Sequence, residues 1–396
     1  MRRAAFNTLE LFLIGAIACG TLAVDSVAPT SGLNTQATQL SIRGSGFESS
    51  ATVKLGETTL AIVSVANGEI RATVPAGLDA GLFDVTVNLA STKSARLTNA
   101  YRVVSSSLRI VAVDVGQGDA TLVISPTGSV GVIDQGRPGS GAKIQAAMTR
   151  LGATTIDWIL VTHYDSDHFA GALEIPLPTI AYDRGEPAQG TATYQNYKTT
   201  MGSRRRTVSP GDVFDLGGGT ALTVVAVGGR LLDGGVVATS STEENENSIG
   251  VVLSHGKFRM FQAGDLTGPT AQGETDVETA LGLFVPDVDI YHVSHHGSTT
   301  SSSDTFIRKL KPEVALISAG LDNSYCHPAP SVLNRLSNEG VTVYATTAGI
   351  VTPDAGCAVT SFPAGSRVLN GDIDITTVTG DTYTVAGDPR NDDGAP

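Results

Sequence analysis

The feature that most constrains this chain is an apolar strand that leads directly into a loop crowded with metal-binding side chains. Residues 158–162, Trp-Ile-Leu-Val-Thr, precede His163, Asp165, Asp167 and His168, four such side chains in six positions. Such crowding is costly unless a cation neutralises it. Mixed nitrogen and oxygen donors suit Zn²⁺, with Mn²⁺ or Fe²⁺ as alternatives. The competing interpretation is a polar loop with hydrogen-bonded histidines.

Two further predicted strands end in residues of the same kind. Residues 258–262 lead to Asp265, and residues 288–293 lead to His295 and His296. Five of the seven histidines of the chain fall in just two strand-end clusters, those of residues 163–168 and 292–296. Sites in layered α/β folds assemble at strand ends from segments distant in sequence. We therefore expect these side chains to meet.

The order of predicted elements divides the chain into two parts. Residues 24–104 alternate short period-2 strands with Gly, Asn and Pro turns, which is typical of a small β-sandwich. From residue 108 apolar strands alternate with helical segments, which indicates an α/β layered domain reaching residue 388. We predict helices over residues 141–151, 303–310 and 331–339, a hairpin over 373–385 and a tail over 389–396.

The first 19 residues have the pattern of an export signal. A charged Met-Arg-Arg start is followed by a short apolar run and small residues, and the run is too short to span a membrane. Ala16 to Cys19 also resembles a bacterial lipobox, so a lipid anchor at Cys19 and free secretion both remain open. Export would place the other two cysteines, Cys326 and Cys357, in an oxidising compartment, where a disulfide is favoured over two buried thiols.

The charge balance argues against tight electrostatic binding of nucleic acid as the default. Lys and Arg number 26 against 39 Asp and Glu, which gives a net charge of −13. Such a molecule repels polyanions at long range. Screening confines charge effects to about 10 Å at moderate salt, so a local basic patch or a bound metal can override this field near one site.

Two sets of motifs resemble known families. Residues 27–32, 42–47, 72–75 and 81–87 resemble an IPT/TIG domain, an immunoglobulin-like module. The strand-end clusters, together with Val-Gly-Gln-Gly-Asp at 115–119, Ile-Asp-Gln-Gly at 133–136 and Tyr-Cys-His-Pro at 325–328, resemble the metallo-β-lactamase superfamily. Within it, the order of motifs is similar to the hydrolase domain of ComEC competence proteins. The resemblance implies an αββα sandwich with a dinuclear metal site.

The resemblance also assigns roles to individual residues. His163 and Asp165 would hold one ion, Asp167 and His168 the other, and Asp265 would bridge them. Either His295 or His296 would complete the second site; we expect His296 to be the ligand and His295 a transition-state stabiliser. Asp119 and Asp134 would act behind the ligands, with Asp134 orienting one of them. Asn247 and Ser248 would contact the substrate or the reacting water, and His292 would be a packed histidine.

Three departures from the family pattern bear on these expectations. Asp165 stands where many members have His, so the site is richer in oxygen ligands and Mn²⁺ becomes an alternative to Zn²⁺. Cys326 replaces the usual Gly beside His327, and an inserted stretch over residues 352–370 carries Cys357. Because the replacement at Cys326 and the insertion each add a cysteine, they suggest one disulfide, which would link the insertion to the loop beside the active site.

The function that these observations predict is that of an exported, metal-dependent hydrolase. Two divalent ions would activate water, Asp167 or Asp265 would orient it, and His295 or His327 would stabilise or protonate the leaving oxygen. A phosphodiesterase or nuclease is favoured, because the ComEC branch is linked to degradation of a DNA strand. The alternatives are a cell-wall phosphoesterase, similar to phosphorylcholine esterases, and a catalytically inactive surface-binding protein. The IPT/TIG domain would act as a spacer or adhesion module for a surface or protein partner.

One basic segment remains open to two interpretations. Arg204, Arg205 and Arg206 fall in a stretch predicted to be loop-rich, with Tyr194 and Tyr197 close by. The triplet would either guide a phosphate backbone, with the tyrosines stacking on bases, or form a solvated basic turn.

Overall fold

A computed structural model describes residues 21–34, 36–79, 81–90, 92–104, 107–269, 273–353 and 356–391. The predicted signal peptide over residues 1–19, with Cys19, lies outside them. The chain divides into two compact units: the first contains residues up to 32, 37–75 and 83–101, and the second contains 33–36, 76–82 and everything from residue 102.

The first unit is a two-sheet β structure. Its sheets have the strand orders β1-β3-β7-β6 and β2-β9-β8-β4-β5. Buried apolar side chains recur at every second position, as at Leu40 and Ile42 or Val85 and Val87, because alternate side chains of a strand share a face. The expected all-β immunoglobulin-like module is confirmed. The strands are β1 Ala23–Ala28, β2 Ser31–Leu33, β3 Thr38–Ser45, β4 Thr52–Leu55, β5 Thr58–Thr59, β6 Ala61–Ala66, β7 Glu69–Val74, β8 Gly81–Asn88 and β9 Ser94–Val104.

The second unit contains two large mixed sheets. The strands of the first sheet are β10 Leu108–Ala112, β11 Ala120–Ile124, β12 Val130–Gln135, β13 Trp158–Leu160, β14 Ile180–Asp183, β15 Arg205–Thr207, β25 Ile373–Thr377, β26 Thr382–Val385 and β27 Asp388–Asn391. The strands of the second are β16 Val213–Gly217, β17 Thr220–Val227, β18 Arg230–Leu231, β19 Ile249–His255, β20 Phe258–Gln262, β21 Ile290–His292, β22 Val314–Ile317, β23 Thr342–Ala345 and β24 Arg367–Val368. Their orders are β15-β14-β13-β12-β11-β10-β25-β26-β27 and β16-β17-β19-β20-β21-β22-β23-β24, with β18 beside β17.

Among the described residues, six α-helices accompany these sheets. They are α1 Gly141–Arg150, α2 Ser166–Phe169, α3 Ala192–Met201, α4 Glu278–Leu281, α5 Asp304–Leu310 and α6 Pro330–Asn338. The predicted helices correspond to α1, α5 and α6. Ile144, Ala147 and Met148 give α1 a buried stripe at helical spacing, and the Ser303 side chain accepts the Phe306 N–H at the start of α5.

The buried apolar side chains form three layers, as a four-layer sandwich requires. One cluster lies between the two sheets and contains Leu160 and Met260. A second joins the first sheet to α1 and α3, and a third joins the second sheet to α4, α5 and α6. The expected αββα architecture is confirmed.

Two sequence-based expectations about local structure are wrong. Residues 389–391 do not belong to a tail: they continue strand β27, which pairs with β26 at the edge of the first sheet. Pro389 is tolerated there because an edge strand leaves one row of N–H groups unpaired. The stretch predicted to be loop-rich between Asp183 and Pro210 contains helix α3, which buries Tyr194, Tyr197 and Met201.

Candidate metal centre

The predicted ligands converge because their strands end at the same edge of the sandwich. In the first sheet β12 and β13 run parallel and lead to Asp134 and to the loop from His163. In the second sheet β20 and β21 run parallel and lead to Asp265 and to the His295-His296 pair. Parallel neighbours deliver their carboxyl ends to one edge, so residues up to 162 positions apart, Asp134 and His296, meet in one site.

One group of donors gathers around the first carboxylate oxygen of Asp265. Asp265 Oδ1 lies 3.0 Å from His168 Nε2 and 3.6 Å from His296 Nε2. The two imidazole nitrogens are 3.2 Å apart, and Asp167 Oδ2 is 3.4 Å from His296 Nε2. Asp167, His168, His296 and Asp265 thus form one compact ligand set, the second ion's set in the sequence-based assignment.

A second group gathers around the other oxygen of the same carboxylate. Asp265 Oδ2 lies 3.9 Å from His163 Nε2 and 3.6 Å from His295 Nε2. Asp165 Oδ2 is 3.7 Å from His163 Nε2. Asp265 therefore presents one oxygen to each group, which is the placement of a bridging carboxylate.

Hydrogen bonds behind the histidines turn the same ring nitrogen, Nε2, towards the centre. The opposite nitrogen, Nδ1, of His168 lies 2.8 Å from Asp134 Oδ2, and that of His296 lies 2.9 Å from the Ser318 carbonyl oxygen. Both acceptors take a hydrogen bond from the Nδ1–H group, so in the neutral imidazole Nε2 keeps the lone pair that binds a cation. This arrangement is how metal-binding histidines are usually oriented.

His295 follows the same pattern through two hydroxyl groups. Thr300 Oγ1 donates to Ser298 Oγ at 3.0 Å, so it accepts from His295 Nδ1 at 2.8 Å. The Nε2 atom of His295 then carries a lone pair. It faces the Asn245 amide nitrogen at 3.5 Å and Asp265 Oδ2 at 3.6 Å. In this tautomer His295 is better suited to bind the first ion than to donate a hydrogen bond to a transition state.

Asp134 and Asp119 lie against the Nδ1 sides of His168 and His296. Asp134 Oδ1 accepts the Thr162 N–H, and Oδ2 accepts the Thr162 hydroxyl as well as His168 Nδ1. Asp119 Oδ1 lies 3.4 Å from His296 Nδ1. The Asp119 N–H also donates to the Asp167 carbonyl oxygen, which ties the 115–119 loop to the ligand loop.

Buried polar atoms without partners show that these residues fit a pair of cations. His163 Nε2, Asp265 Oδ1 and Asp119 Oδ1 are buried and make no hydrogen bond. Leaving such atoms unpaired costs about 1–3 kcal/mol each, and a cation bound among them removes that cost. Two overlapping groups of three, Asp119-His168-His296 and His163-His168-Asp265, each have donor atoms close enough to share an ion, and His168 is common to both. The donor set of imidazole and carboxylate suits Zn²⁺ or Mn²⁺.

Buried carboxylates and imidazoles shift one another's pKa values in this site. Burial disfavours the charge of Asp265, but His168 and His296 outweigh it and hold the pKa of the carboxyl well below its usual range. Burial, with His168 adding to its effect, lowers the pKa of His163 to about 3. The carboxylate is therefore ionised and His163 is neutral near pH 7, which are the forms that bind a metal ion.

A cavity of about 280 Å³ opens above the ligands and includes residues that the sequence did not single out. It is lined by Gln117, Asp165, Ser166, Asp167, Asn245, Asp265, His295, His296, Tyr325 and His327. Tyr325 is exposed and its ring stacks on His327, with centroids 5.8 Å apart. Burial lowers the pKa of His327 to about 3, so this imidazole is neutral.

The Asn247 side chain is engaged within its own loop rather than facing the cavity, whereas the predicted role of Ser248 stays a prediction. The Asn247 amide donates to the carbonyl oxygens of Ser240 and Glu243, so it holds its own loop together. Asn245, two residues earlier, lines the cavity instead, and its Nδ2 lies 3.5 Å from His295 Nε2. The one-turn helix over Asn245–Asn247 separates the two amides, and no sequence pattern marks which of them faces the site.

Two other predictions have clear outcomes in the geometry. His292 is packed: its Nδ1 lies 3.3 Å from Thr121 Oγ1 and its Nε2 lies 3.0 Å from Ser318 Oγ. The proposed stacking of Tyr194 and Tyr197 on bases is wrong, because both rings are buried. Arg205 pairs with buried Asp183 through Nε at 2.7 Å, which leaves only Arg204 and Arg206 of the triplet exposed.

A disulfide links the cavity loop to the inserted stretch. Cys326 and Cys357 are bonded, with their Cα atoms 5.1 Å apart and the two residues 31 positions apart in sequence. Cys326 has a φ of 63°, a left-handed conformation in which Gly is favoured. The bond anchors the residue between Tyr325 and His327, both of which line the cavity.

Fold and site together define a metallo-hydrolase, and comparison with known proteins gives its family. The metallo-beta-lactamase superfamily model matches residues 113–320, just over half of the chain, and the IPT/TIG domain model matches residues 22–102. The chain belongs to the metallo-β-lactamase superfamily and carries an N-terminal IPT/TIG domain. Both expected resemblances are confirmed.

The relatives among curated proteins are competence and recombination proteins. The chain is 28% identical to ComE operon protein 3 of Bacillus subtilis over 267 residues, 62% of this chain and 33% of the relative. It is 29% identical to Recombination protein 2 of Haemophilus influenzae over 233 residues, 58% of the chain and 26% of the relative. It is 26% identical to Competence protein ComA of Neisseria gonorrhoeae over 247 residues, 58% of the chain and 29% of the relative. The chain thus spans a quarter to a third of these proteins, which confirms the ComEC-type resemblance for that part.

Among the described helices, none is long and apolar enough to cross a membrane.

Proposed function

We propose that this protein is an exported phosphodiesterase that uses two divalent ions, Zn²⁺ or Mn²⁺, to hydrolyse a phosphodiester polymer such as single-stranded DNA. The observation that carries the proposal is the carboxylate of Asp265, whose two oxygens face two separate groups of nitrogen and oxygen donors. Two ions held in this way would activate water and neutralise the charge of a phosphate group. The relatedness to a recombination protein and to competence proteins favours DNA over a cell-envelope phosphoester.

The chain's own residues supply positioning and hydrogen bonding. Asp134 keeps the His168 ring in the orientation that leaves Nε2 free. His327 lines the cavity outside both ligand groups, and as a neutral imidazole it offers an N–H to a phosphate oxygen. Asp167 and Asp265 face the cavity from the ligand groups and can accept hydrogen bonds from the attacking water. We assign His295 to the first ligand group rather than to the stabilising role.

Export is part of the proposal, and the disulfide supports it. A bond between Cys326 and Cys357 persists in oxidising compartments and is rare in the cytosol. We expect mature protein recovered outside the cytoplasm to begin after the leader, at Cys19 if a lipid is attached. Mass spectrometry of its N-terminal peptide distinguishes lipidated from freely secreted protein. An intact leader on functional protein would contradict export.

The decisive experiment compares hydrolysis by the wild type with that by an Asp167→Ala variant. We expect metal-dependent cleavage of bis(p-nitrophenyl) phosphate and of single-stranded DNA, and a loss of at least about 100-fold in kcat/KM for the variant, or about 2.7 kcal/mol. Asp25→Ala, at an exposed carboxyl of the first unit, is the matched control and should keep full activity. Metal binding without diester cleavage would shift the assignment to envelope phosphoesters, and absence of metal would leave a surface-binding protein.

A further inference from the structure

A second cavity adjoins the candidate metal centre and contains two cations that the proposed reaction does not use. It has a volume of about 480 Å³, and Gln117 lines both cavities. Arg137 and Lys143 line the second cavity and are exposed. Because the chain carries a net charge of −13, a pair of cations beside the reaction site stands out against the field of the whole molecule.

Neither cation forms an ion pair with a carboxylate among the described residues. In the described part of the chain, no acidic oxygen lies within 4 Å of the charged nitrogens of Arg137 or Lys143. The Lys143 ammonium donates to the Asp114 carbonyl oxygen at 2.6 Å, which positions it without neutralising its charge. The Arg137 guanidinium lies beside Gly116, 3.6 Å from where a Cβ would stand.

The two carboxylates of the same cavity are occupied by backbone donors. Asp114 Oδ1 accepts the Gly116 N–H at 3.1 Å. Asp322 Oδ1 accepts the N–H groups of Val351 and Thr352, both at 2.8 Å. These hydrogen bonds hold the carboxylates in their own loops and do not pair them with Arg137 or Lys143, so both cations remain available as hydrogen-bond donors to an anion.

The wall between the two cavities is built from hydrogen-bonded residues. Gln117 Oε1 accepts the Gly320 N–H at 3.1 Å. Asn323, which lines the second cavity, donates from Nδ2 to the His327 carbonyl oxygen at 2.6 Å and accepts the His327 N–H at 3.0 Å. The second cavity is therefore fixed in position relative to the groups that line the metal centre.

We propose that the cavity lined by Arg137 and Lys143 is a second phosphate subsite, which binds the phosphate next to the one that is cleaved. The inference rests on the proposed function and narrows its substrate to chains that carry at least two neighbouring phosphates. An isolated diester leaves this subsite empty. A polyphosphodiester fills it, with charge-assisted hydrogen bonds from guanidinium and ammonium groups.

The test compares substrates that differ by one phosphate. They are the thymidine dinucleotide with a single diester and the same dinucleotide with an added 5′- or 3′-phosphate. We expect the wild type to have a KM about tenfold lower for one of the phosphorylated forms, which corresponds to about 1.4 kcal/mol. The Arg137→Gln/Lys143→Gln variant should lose this advantage with kcat within twofold, and its KM for the plain dinucleotide should not change.

The matched control is the Arg204→Gln/Arg206→Gln variant, which removes the same charge from two exposed arginines elsewhere in the same unit. It should keep the preference for the phosphorylated dinucleotide. Three results would contradict the second phosphate subsite. They are a wild type with the same KM for all dinucleotides, a control variant that loses the preference, and an Arg137→Gln/Lys143→Gln variant whose KM rises equally for all substrates.

Binding of the phosphorylated dinucleotide in the presence of EDTA separates this inference from the proposed function. If the wild type cleaves none of the substrates, the proposed function fails. Calorimetry then decides the subsite: a dissociation constant about tenfold lower for the wild type than for the Arg137→Gln/Lys143→Gln variant supports it, and equal constants contradict it.

Discussion

At the scale of single residues, Asp134 shows how one side chain outside the ligand groups sets the geometry of the site. Its backbone has a φ of 52°, a conformation that Asp and Asn adopt more readily than most residues. Its carboxylate accepts three hydrogen bonds, two from Thr162 and one from His168. The strained backbone places an acceptor behind His168 that leaves Nε2 facing the metal centre.

We expect Asp134→Asn to weaken metal binding by about 10- to 100-fold, the usual cost of losing such a partner. Asn tolerates the same backbone conformation, but its amide cannot accept from both the Thr162 hydroxyl and His168 Nδ1 with one oxygen and still bind the Thr162 N–H. Competition with a chromophoric chelator measures the affinity. Asp157→Asn, at a carboxylate that accepts the Val130 N–H outside the site, is the control. Unchanged affinity in Asp134→Asn would show that His168 is oriented by other contacts.

Arg205 is a structural residue, and its two acidic partners differ sharply in burial. Asp183 is fully buried and also accepts the Tyr197 hydroxyl at 3.1 Å, whereas the Glu186 side chain is 59% exposed. We expect Asp183→Ala to lower the free energy of unfolding by about 3–5 kcal/mol, because it leaves a charge without its buried partner. Glu186→Ala should cost less than about 1 kcal/mol. Urea denaturation measures both; similar values would mean that Asp183 and Glu186 contribute equally.

At the scale of structural elements, the disulfide constrains the loop that lines the cavity. It closes a loop between Cys326 and Cys357, which are 31 positions apart in sequence, and the chain-entropy relation gives about 3–4 kcal/mol of stabilisation for such a loop. We expect the Cys326→Ser/Cys357→Ser variant to unfold at lower urea concentration by that amount. The wild type in reducing agent should match the variant. A stability unchanged by both treatments would show that the loop is held by its other contacts.

Helix α4 carries a buried carboxyl whose protonation should couple stability to pH. Burial raises the pKa of Glu278 from its ordinary 4.5 to about 7, although the N–H groups of Ser302 and Ser303 donate to it. The folded state thus binds this proton more tightly than the unfolded state. The Glu278 contribution to stability is therefore greatest below about pH 4.5, falls as the pH rises, and levels off above about pH 7, with a total loss of about 3 kcal/mol.

The comparison of wild type with Glu278→Gln isolates this contribution. The difference in free energy of unfolding between the two proteins should change across pH 5–8 in favour of the variant. Glu339→Gln, at a partly exposed residue that pairs with Arg308, should show no such trend. A difference that is constant with pH would mean that Glu278 remains ionised in the folded protein.

The elements that sequence predicts well are those with strong periodicity or a metal-binding pattern. Helices α1, α5 and α6 were predictable from apolar spacing and capping residues, and strand-end histidines marked the ligand loops. Helix α3 was missed because its Thr, Tyr and Asn residues have weak helical preference, and its stability comes from burying Tyr194 and Tyr197. Which of Asn245 and Asn247 faces the cavity depends on a single turn of backbone, which no local pattern encodes.

At the scale of the whole molecule, charge is distributed so that local groups oppose the overall field. A net charge of −13 repels polyanions, and the proposed ions and the Arg137-Lys143 pair would supply attraction only at the site. Such a protein gains its affinity for a phosphodiester from a few directed contacts rather than from long-range steering. The IPT/TIG unit contributes no cluster of metal-binding residues among those described.

The bridging role of Asp265 is tested by the metal content of protein that has been stripped with chelator, reloaded with Zn²⁺ or Mn²⁺ and desalted. We expect two ions per chain for the wild type and fewer than one for Asp265→Ala, because that carboxylate faces both ligand groups. Asp215→Ala, at an exposed carboxyl in β16, should retain two. A wild type that binds no ion, or an Asp265→Ala variant that still binds two, would contradict a dinuclear centre bridged by Asp265.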